Sequence, residues 1–295
     1  LKIENDGRVF PSSDSSEDVI KCLSNVAKQA GVNVLTNSHV KYIIRTNDGF
    51  NLLVKGGNYF KAKNILICTG GHPSGRRLAK GLGHSIIEPV PSLFSFTTSD
   101  CSLKSCSGIS LDVQIKLTVS KKKYSGNGVI LITHKGFSGP VILRLSAFSA
   151  RNLHANKYKA DLKINWLCIS EDEVRSQIDL YKSENTNKYV LKNKPFNQLP
   201  KSLWRALLST INIKDHLRWG DLSKSEKQSL VKCLTMSNYV IKSRGPYGEE
   251  FVTAGGVSLN EINFKTMESK ICKGLFFAGE VLDIDGITGG FNFQH

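Results

Sequence analysis

The chain has 295 residues, 40% of them apolar, enough for one large or two medium cores. No uninterrupted apolar run approaches the roughly 18 residues that span a bilayer. Leu1-Lys2-Ile3-Glu4-Asn5-Asp6 lacks a hydrophobic signal core, so the expectation is a cytoplasmic protein without a membrane segment. Lys and Arg outnumber Asp and Glu by 40 to 25, a formal charge of +15 that attracts phosphates at long range.

The lysines are nevertheless spread along the chain among asparagines. Their densest run, Lys121-Lys122-Lys123, is expected at a solvated hairpin tip rather than at a nucleic-acid contact. Seven scattered cysteines make no disulfide framework. Cys101 and Cys106 lack a second pair or a His cluster beside them, so no metal is expected.

In chain order, Gly7-Arg8-Val9-Phe10-Pro11 leads into a helix from Ser16 to Ala30, capped by Ser15 or Ser16, with Val19, Ile20, Leu23, Val26 and Ala30 on its expected buried side. Gly31 ends it, and Val32 to Leu35 reads as a short strand. Val40 to Arg45 and Phe50 to Val54 flank Asn47-Asp48-Gly49, turn chemistry that closes a hairpin. Ile65 to Cys68 is a continuous apolar run ending in Thr69-Gly70-Gly71, the pattern of a buried parallel strand that delivers its carboxyl end to a ligand. Cys68 itself is expected to pack as a small apolar side chain.

After Pro89 and Pro91 the texture becomes β-rich. Leu111, Val113, Ile115, Leu117 and Val119 alternate with polar residues, as do Leu162, Ile164 and Trp166, predicting half-buried antiparallel strands. Between them, Pro140 suits the first turn of a helix through Ala150. From Ser170 the pattern is helical: Ser170 with Glu173, and Ser223 with Glu226, have capping-box spacing, and Leu203, Trp204, Leu207 and Leu208 mark a helix between them. Two further strand tips follow, Phe251 to Val257 with Gly255-Gly256, and Leu275 to Ala278 running into Gly279-Glu280. Glycines 286, 289 and 290 then form a wide turn near the last residue.

Five blocks, namely Gly7 to Pro11, Cys68 to Gly71, Thr133-His134-Lys135-Gly136-Phe137-Ser138-Gly139-Pro140, Thr253 to Val257 and Gly274 to Gln294, resemble the BaiN-like (YhiN-like) NAD(P)/FAD-dependent oxidoreductases. The resemblance runs through the whole chain in order. It implies an α/β fold: a Rossmann-like FAD-binding domain, incomplete here, interrupted by a β-barrel-like insert and a small helical insert. The implied parts are 1–90 and 246–295 for the FAD-binding domain, 91–169 for the β-rich insert and 170–245 for the helical insert.

The resemblance further implies FAD as cofactor, with NAD(P)H as electron donor and an unsaturated or carbonyl small molecule as acceptor. Thr69, Gly70 and Gly71 would lie along the dinucleotide, and Gly279 with Glu280 would meet the ribityl chain. Gly289, Gly290, Phe291 and Asn292 would lie under the flavin ring. Gly255, Gly256 and Arg8 complete the implied cofactor set, Arg8 having a plain surface arginine as its other reading. Members begin with a Gly-x-Gly-x-x-Gly turn that is absent here, and residues 1–295 are expected to be a fragment binding FAD weakly on their own.

His134, beside a glycine-rich turn, is the acid/base candidate by residue type, against the plainer role of a structural hydrogen-bonder. Asp283 and Asp285 are expected to support the Gly286 turn. His39, His72, His84, His154 and His216 have no partner at recognisable spacing. Ser138 in Gly-Phe-Ser-Gly-Pro lacks the last glycine of a nucleophile elbow, which argues against a hydrolase. The competing readings are a flavoprotein amine oxidase, an FAD-binding tRNA- or nucleic-acid-modifying protein drawn by the positive charge, and a non-catalytic remnant.

Overall fold

The structure, a computed structural model, describes residues 1–4, 7, 9–100, 102–245 and 252–287. It divides into two compact units, Leu1–Ala62 and Lys63–His295. Among the described residues, no helix is long and apolar enough to cross a membrane.

In the first unit the helix Ser16–Gln29 starts where Ser15 Oγ accepts the Glu17 N–H, with Glu17 and Asp18 in its first turn and Lys28 in its last, matching the helix dipole. Its expected buried side is exposed: Val19, Ile20, Leu23 and Val26 all face outward. The spacing correctly marks an apolar stripe, but a stripe is buried only where another element packs on it. Strands Val40–Thr46, Gly49–Val54 and Tyr59–Ala62 form an antiparallel sheet around the expected turn, with Phe50 and Val54 as its buried residues. Val32 to Leu35 is not a strand. No neighbour offers those residues a hydrogen-bond ladder, and β-branched preference alone does not make one.

The second unit is nested. Strands Ile86–Ser92 and Val252–Val257 pair antiparallel, so the chain leaves and returns side by side. What lies between them includes a closed six-stranded barrel, in the order Lys122–Thr133, Gly136–Ser138, Phe96–Thr98, Ser237–Arg244, Ala160–Asn165 and Ser110–Val119. The alternation read from sequence becomes the barrel interior. Val113, Ile115, Leu117 and Val119 are buried with Ile130, Ile132, Leu162 and Ile164, each such side chain contributing about 1.5–3 kcal/mol relative to exposure. The Lys121 run is divided, Ser120 and Lys121 making the turn while Lys122 and Lys123 begin the returning strand. Helix Pro140–Ala155, longer than expected, packs along the barrel opposite Gly126, where an added Cβ would press Val141 Cγ2 at 3.3 Å.

A second excursion sits inside the first. The chain leaves the barrel after Asn165 and re-enters at Ser237, which pairs with Ile164. Between these points lie helices Glu171–Glu184, Lys201–Thr210 and Lys224–Thr235. Both predicted capping boxes are formed, by Ser170 with Glu173 and by Ser223 with Glu226. The three helices share one apolar cluster with the barrel, and the Trp166 indole N–H donates to Ser237 Oγ at 2.9 Å across the point of departure.

The last sheet runs Ile262–Asn263, Glu268–Ser269, Leu275–Phe277, Ile65–Ile67, with its final pair parallel. The expected central strand therefore lies at an edge of the described sheet. With one neighbour only, Ile67 is buried while Leu66 is 58% exposed and Cys68 faces outward.

Helix Pro140–Ala155 depends on Gly139, whose φ of 93° is a left-handed conformation and whose missing Cβ would lie 2.7 Å from Leu131 N. Gly139→Ala should cost about 3 kcal/mol or more, read from urea unfolding, because strain and backbone overlap act together.

Candidate functional site

The parallel pairing of Ile65–Ile67 with Leu275–Phe277 sets two carboxyl ends side by side, with the Ala278 N–H donating to Ile67 O at 3.2 Å. Thr69-Gly70-Gly71 thus emerges beside Gly279-Glu280. A Cβ at Gly71 would sit 3.5 Å from Thr253 Oγ1 and 3.7 Å from Glu280 Oε2, so three chain segments converge there. Gly70 has φ of 58° and turns the chain into helix Pro73–Gly81, which His72 Nδ1 caps by accepting the Ser74 N–H. Arg76 Nη1 donates to Gly71 O at 2.7 Å and pins the loop from within that helix.

Glu280 is half-buried, and no hydrogen bond or ion pair from a described residue meets its carboxylate. A carboxylate with no donor from the described residues keeps its acceptor positions open to hydroxyl groups of a ligand. The residues present therefore fit a dinucleotide cofactor: a side-chain-free backbone for close approach, a helix start, and an acceptor waiting for hydroxyls.

Gly255 and Gly256 are accounted for within the protein. Gly255, at a register shift between Val252–Val257 and Ile86–Ser92, has φ of 116° and leaves no space against Glu88 O, 2.6 Å from where a Cβ would stand. A Cβ at Gly256 would fall 2.5 Å from the Leu282 carbonyl. The turn after Glu280 is held to neighbouring elements by side chains. Arg151 Nη2 donates to Asp283 Oδ1 at 2.7 Å and Ser92 Oγ to Asp285 Oδ2 at 3.2 Å, so the two aspartates act across the fold rather than on their own backbone. Arg8, Gly289, Gly290, Phe291 and Asn292 lie outside the described residues.

His134 lies elsewhere. It occupies the turn between strands Lys122–Thr133 and Gly136–Ser138 and lines a small cleft at the end of the barrel with Thr98, Asp100, Lys104 and Tyr239, and none of the glycine-loop residues lines that cleft. Burial pushes the Tyr239 phenol well above its ordinary value, so it stays protonated. Ser138 Oγ pairs with Ser95 Oγ at 2.8 Å and with no imidazole.

One constellation was missed from sequence. His84, buried, places Nδ1 2.9 Å from Glu261 Oε2 and Nε2 3.0 Å from Ser269 Oγ. The spatial order Ser–His–Glu is that of a hydrolase triad, yet Ser269 Oγ already accepts the Ile271 and Cys272 N–H groups, at 3.1 and 2.8 Å. Its remaining proton points to Nε2, so Nδ1–H donates to Glu261, and the hydroxyl is a structural cap rather than a nucleophile. The network ties the end of helix Pro73–Gly81 to the turns on either side of Glu268–Ser269. Sequence separations of 177 and 185 residues leave no local signal for it.

Burial lowers the His84 pKa below its ordinary 6.5, against the raising effect of Glu261. For Glu261, burial acts to raise the pKa, but hydrogen bonds from Ser85 and His84 outweigh it and hold the carboxyl below 4.5. Both folded-state values lie below the unfolded ones, so this stability is present above the unfolded values and is lost as pH falls. Unfolding free energy should therefore begin to drop below pH 6.5, and His84→Gln, itself costing about 2 kcal/mol, should remove the first part of that acid dependence in urea titrations.

Comparison with known proteins agrees with this geometry. The chain is 29% identical over 98% of its length to a ribosomal RNA dihydrouridine synthase of Haemophilus influenzae, covering 71% of that protein. It is 25% identical over 98% of its length to a 3-dehydro-bile acid delta(4,6)-reductase of Clostridium scindens, covering 72% of that protein. A ribosomal RNA dihydrouridine synthase of Escherichia coli is 26% identical over 98% of the chain, with 71% of that protein covered. The family model of the HI0933-like protein Rossmann domain matches residues 1–295. A family model matching every residue from 1 to 295 shows that the chain belongs to the HI0933-like Rossmann family of the FAD-dependent oxidoreductase superfamily.

Proposed function

We propose that the protein is an FAD-dependent reductase of a carbon–carbon double bond conjugated to a carbonyl, with NAD(P)H as reductant and a uracil base in RNA as substrate. The observation that carries the cofactor assignment is the Glu280 carboxylate near Gly71, which no described residue meets with a hydrogen bond or ion pair. The reaction class is supported by a chemistry common to the relatives. Making dihydrouridine reduces the double bond of uracil conjugated to its carbonyl, and a 3-dehydro delta(4,6)-steroid also carries double bonds conjugated to a ketone. RNA is favoured over the small-molecule partner expected from sequence by the +15 charge and by the names of two relatives. A 3-oxo steroid is the second reading, favoured by the Clostridium scindens relative.

FAD, held by Gly70, Gly71, Gly279 and Glu280, would supply hydride-transfer chemistry with NAD(P)H as the source of the hydride, and a proton on the adjacent substrate carbon would complete the addition of two hydrogens. The chain's own part is positional. Gly70 and Gly71 let backbone N–H groups approach the dinucleotide, Glu280 accepts hydroxyl donors, and Arg76 fixes the Gly71 carbonyl out of the way. Gly279, in the same turn, keeps the strand end free of side chains. In this reading the side chain of Thr69 packs against Gly75, which aligns the loop with the helix behind it.

An added methyl at Gly71 meets only ordinary contacts in the protein, so Gly71→Ala should leave the melting temperature unchanged while weakening FAD binding. Glu280→Gln should weaken FAD binding about tenfold, near 1.4 kcal/mol, in fluorescence titrations. Unchanged FAD affinity in both variants would remove the cofactor assignment. Anaerobic mixing of the flavin-loaded protein with NADPH or NADH should bleach the flavin, and transcript RNA should then gain dihydrouridine by mass spectrometry. Reoxidation by a 3-oxo enone but not by RNA would select the second reading.

A further inference from the structure

Residues 186–218 hold seven Lys and Arg against one acid, Asp215, so about a ninth of the chain carries a net +6 of the total +15. Much of this stretch is irregular backbone, yet it is held firmly. The Val190 N–H donates to Leu217 O, the Trp219 N–H to Lys188 O and the Gly220 N–H to Thr186 O, each at 2.9 Å. The indoles of Trp204 and Trp219, both buried, donate from beneath to Val190 O and Asn193 O at 3.0 Å.

On the outer side of this braced loop, Tyr189 and Arg218 stand directly opposite each other in an antiparallel bridge. The half-buried Tyr189 ring has Lys192 Nζ 5.5 Å and Arg218 Cζ 5.7 Å from its centroid. Lys188, Lys192 and Arg218 are exposed, and none of them ion-pairs with a carboxylate among the described residues. Two exposed cations at one aromatic ring, with Lys188 next to it in sequence, repel one another, and phosphates would relieve that repulsion. Held over the Tyr189 ring, the exposed Arg218 guanidinium presents a plane of the kind an unstacked base lies on, with the ring backing it and the lysines reaching the flanking phosphates.

We infer that Tyr189, Lys192 and Arg218, with Lys188 at their edge, form an RNA-docking platform that holds single-stranded nucleotides flanking the reacting base. This rests on the reading of the protein as an RNA-base reductase and adds where the RNA is gripped. An acidic protein surface would meet the same charges but would gain nothing from the flat Tyr189–Arg218 pair, which favours RNA.

The test is fluorescence anisotropy of the flavin-loaded protein with a labelled uridine-containing RNA stem-loop, between about 50 and 200 mM salt. Lys192→Ala/Arg218→Ala should weaken binding at least tenfold at the lower salt and flatten the slope of log affinity against log salt by about 1.4, two single-strand phosphate contacts. Tyr189→Leu should lose about fivefold or more while Tyr189→Phe stays near wild type, since stacking needs the ring and not the hydroxyl.

Lys116→Ala/Lys163→Ala, an exposed and directly opposed pair on the outer barrel wall, removes the same charge and should change affinity less than twofold. Equal losses from both double variants would reduce the platform to net charge and overturn it, as would full binding by the Lys192/Arg218 variant. Poly-glutamate competing as well as RNA would assign the surface to an acidic protein instead. If the double variant melts early, single Lys192→Ala carries the same test, because that ammonium makes no hydrogen bond in the fold. Wild-type protein that makes dihydrouridine while the platform variants bind normally sinks the platform alone. Wild-type protein that reduces a 3-oxo enone and binds no RNA sinks the substrate reading and the platform with it.

Discussion

The parallel contact between Ile65–Ile67 and Leu275–Phe277 is the constraint on which the second unit turns. Three residues on each side are joined across about two hundred intervening residues. Closing so long a loop costs little more than closing one half its length, because the entropy grows only with the logarithm of loop size. The closure still requires that the intervening chain bring its ends back together. The antiparallel pairing of Ile86–Ser92 with Val252–Val257 does this at one level, and the pairing of Ala160–Asn165 with Ser237–Arg244 does it again inside the barrel. Gly256 is part of the same requirement, since the backbone of Leu282 lies where a side chain would have been.

Around that contact, rigidity and vacancy of hydrogen-bonding partners are divided between residues. Arg151, Ser92 and the His84–Glu261–Ser269 network spend their polar groups on one another and on backbone, fixing the turns that flank the strand ends. The Glu280 carboxylate has no such partner among the described residues, which sets it apart from these structural groups.

Legibility in the sequence followed the range of each interaction. Capping boxes at Ser170 and Ser223, the Asn47-Asp48-Gly49 hairpin and the alternation that fills the barrel all depend on residues a few positions apart, and all are formed. The glycine pairs at 70–71 and 255–256 were visible as well, but not that the first leaves space and the second is consumed by packing. Thr253, His84 and Glu261 draw their surroundings from segments far away in sequence, which spacing cannot show. Apolar periodicity also overreached at Val19, Ile20, Leu23 and Val26, because it reports the side a helix can bury and not whether a neighbour arrives. Closure of the six strands into a barrel was legible from the residues themselves only as β-rich texture, the barrel-like insert being implied by the family resemblance, since the order of strands around a barrel is a property of their pairing.

The paired returns at Ile86–Ser92 with Val252–Val257, and at Ala160–Asn165 with Ser237–Arg244, make each excursion a module whose two ends leave from almost one point. Such a module can be lengthened, re-surfaced or exchanged in evolution without disturbing the register at its stem. The strand-end geometry at the stem is thereby physically independent of what the module carried on it presents to solvent.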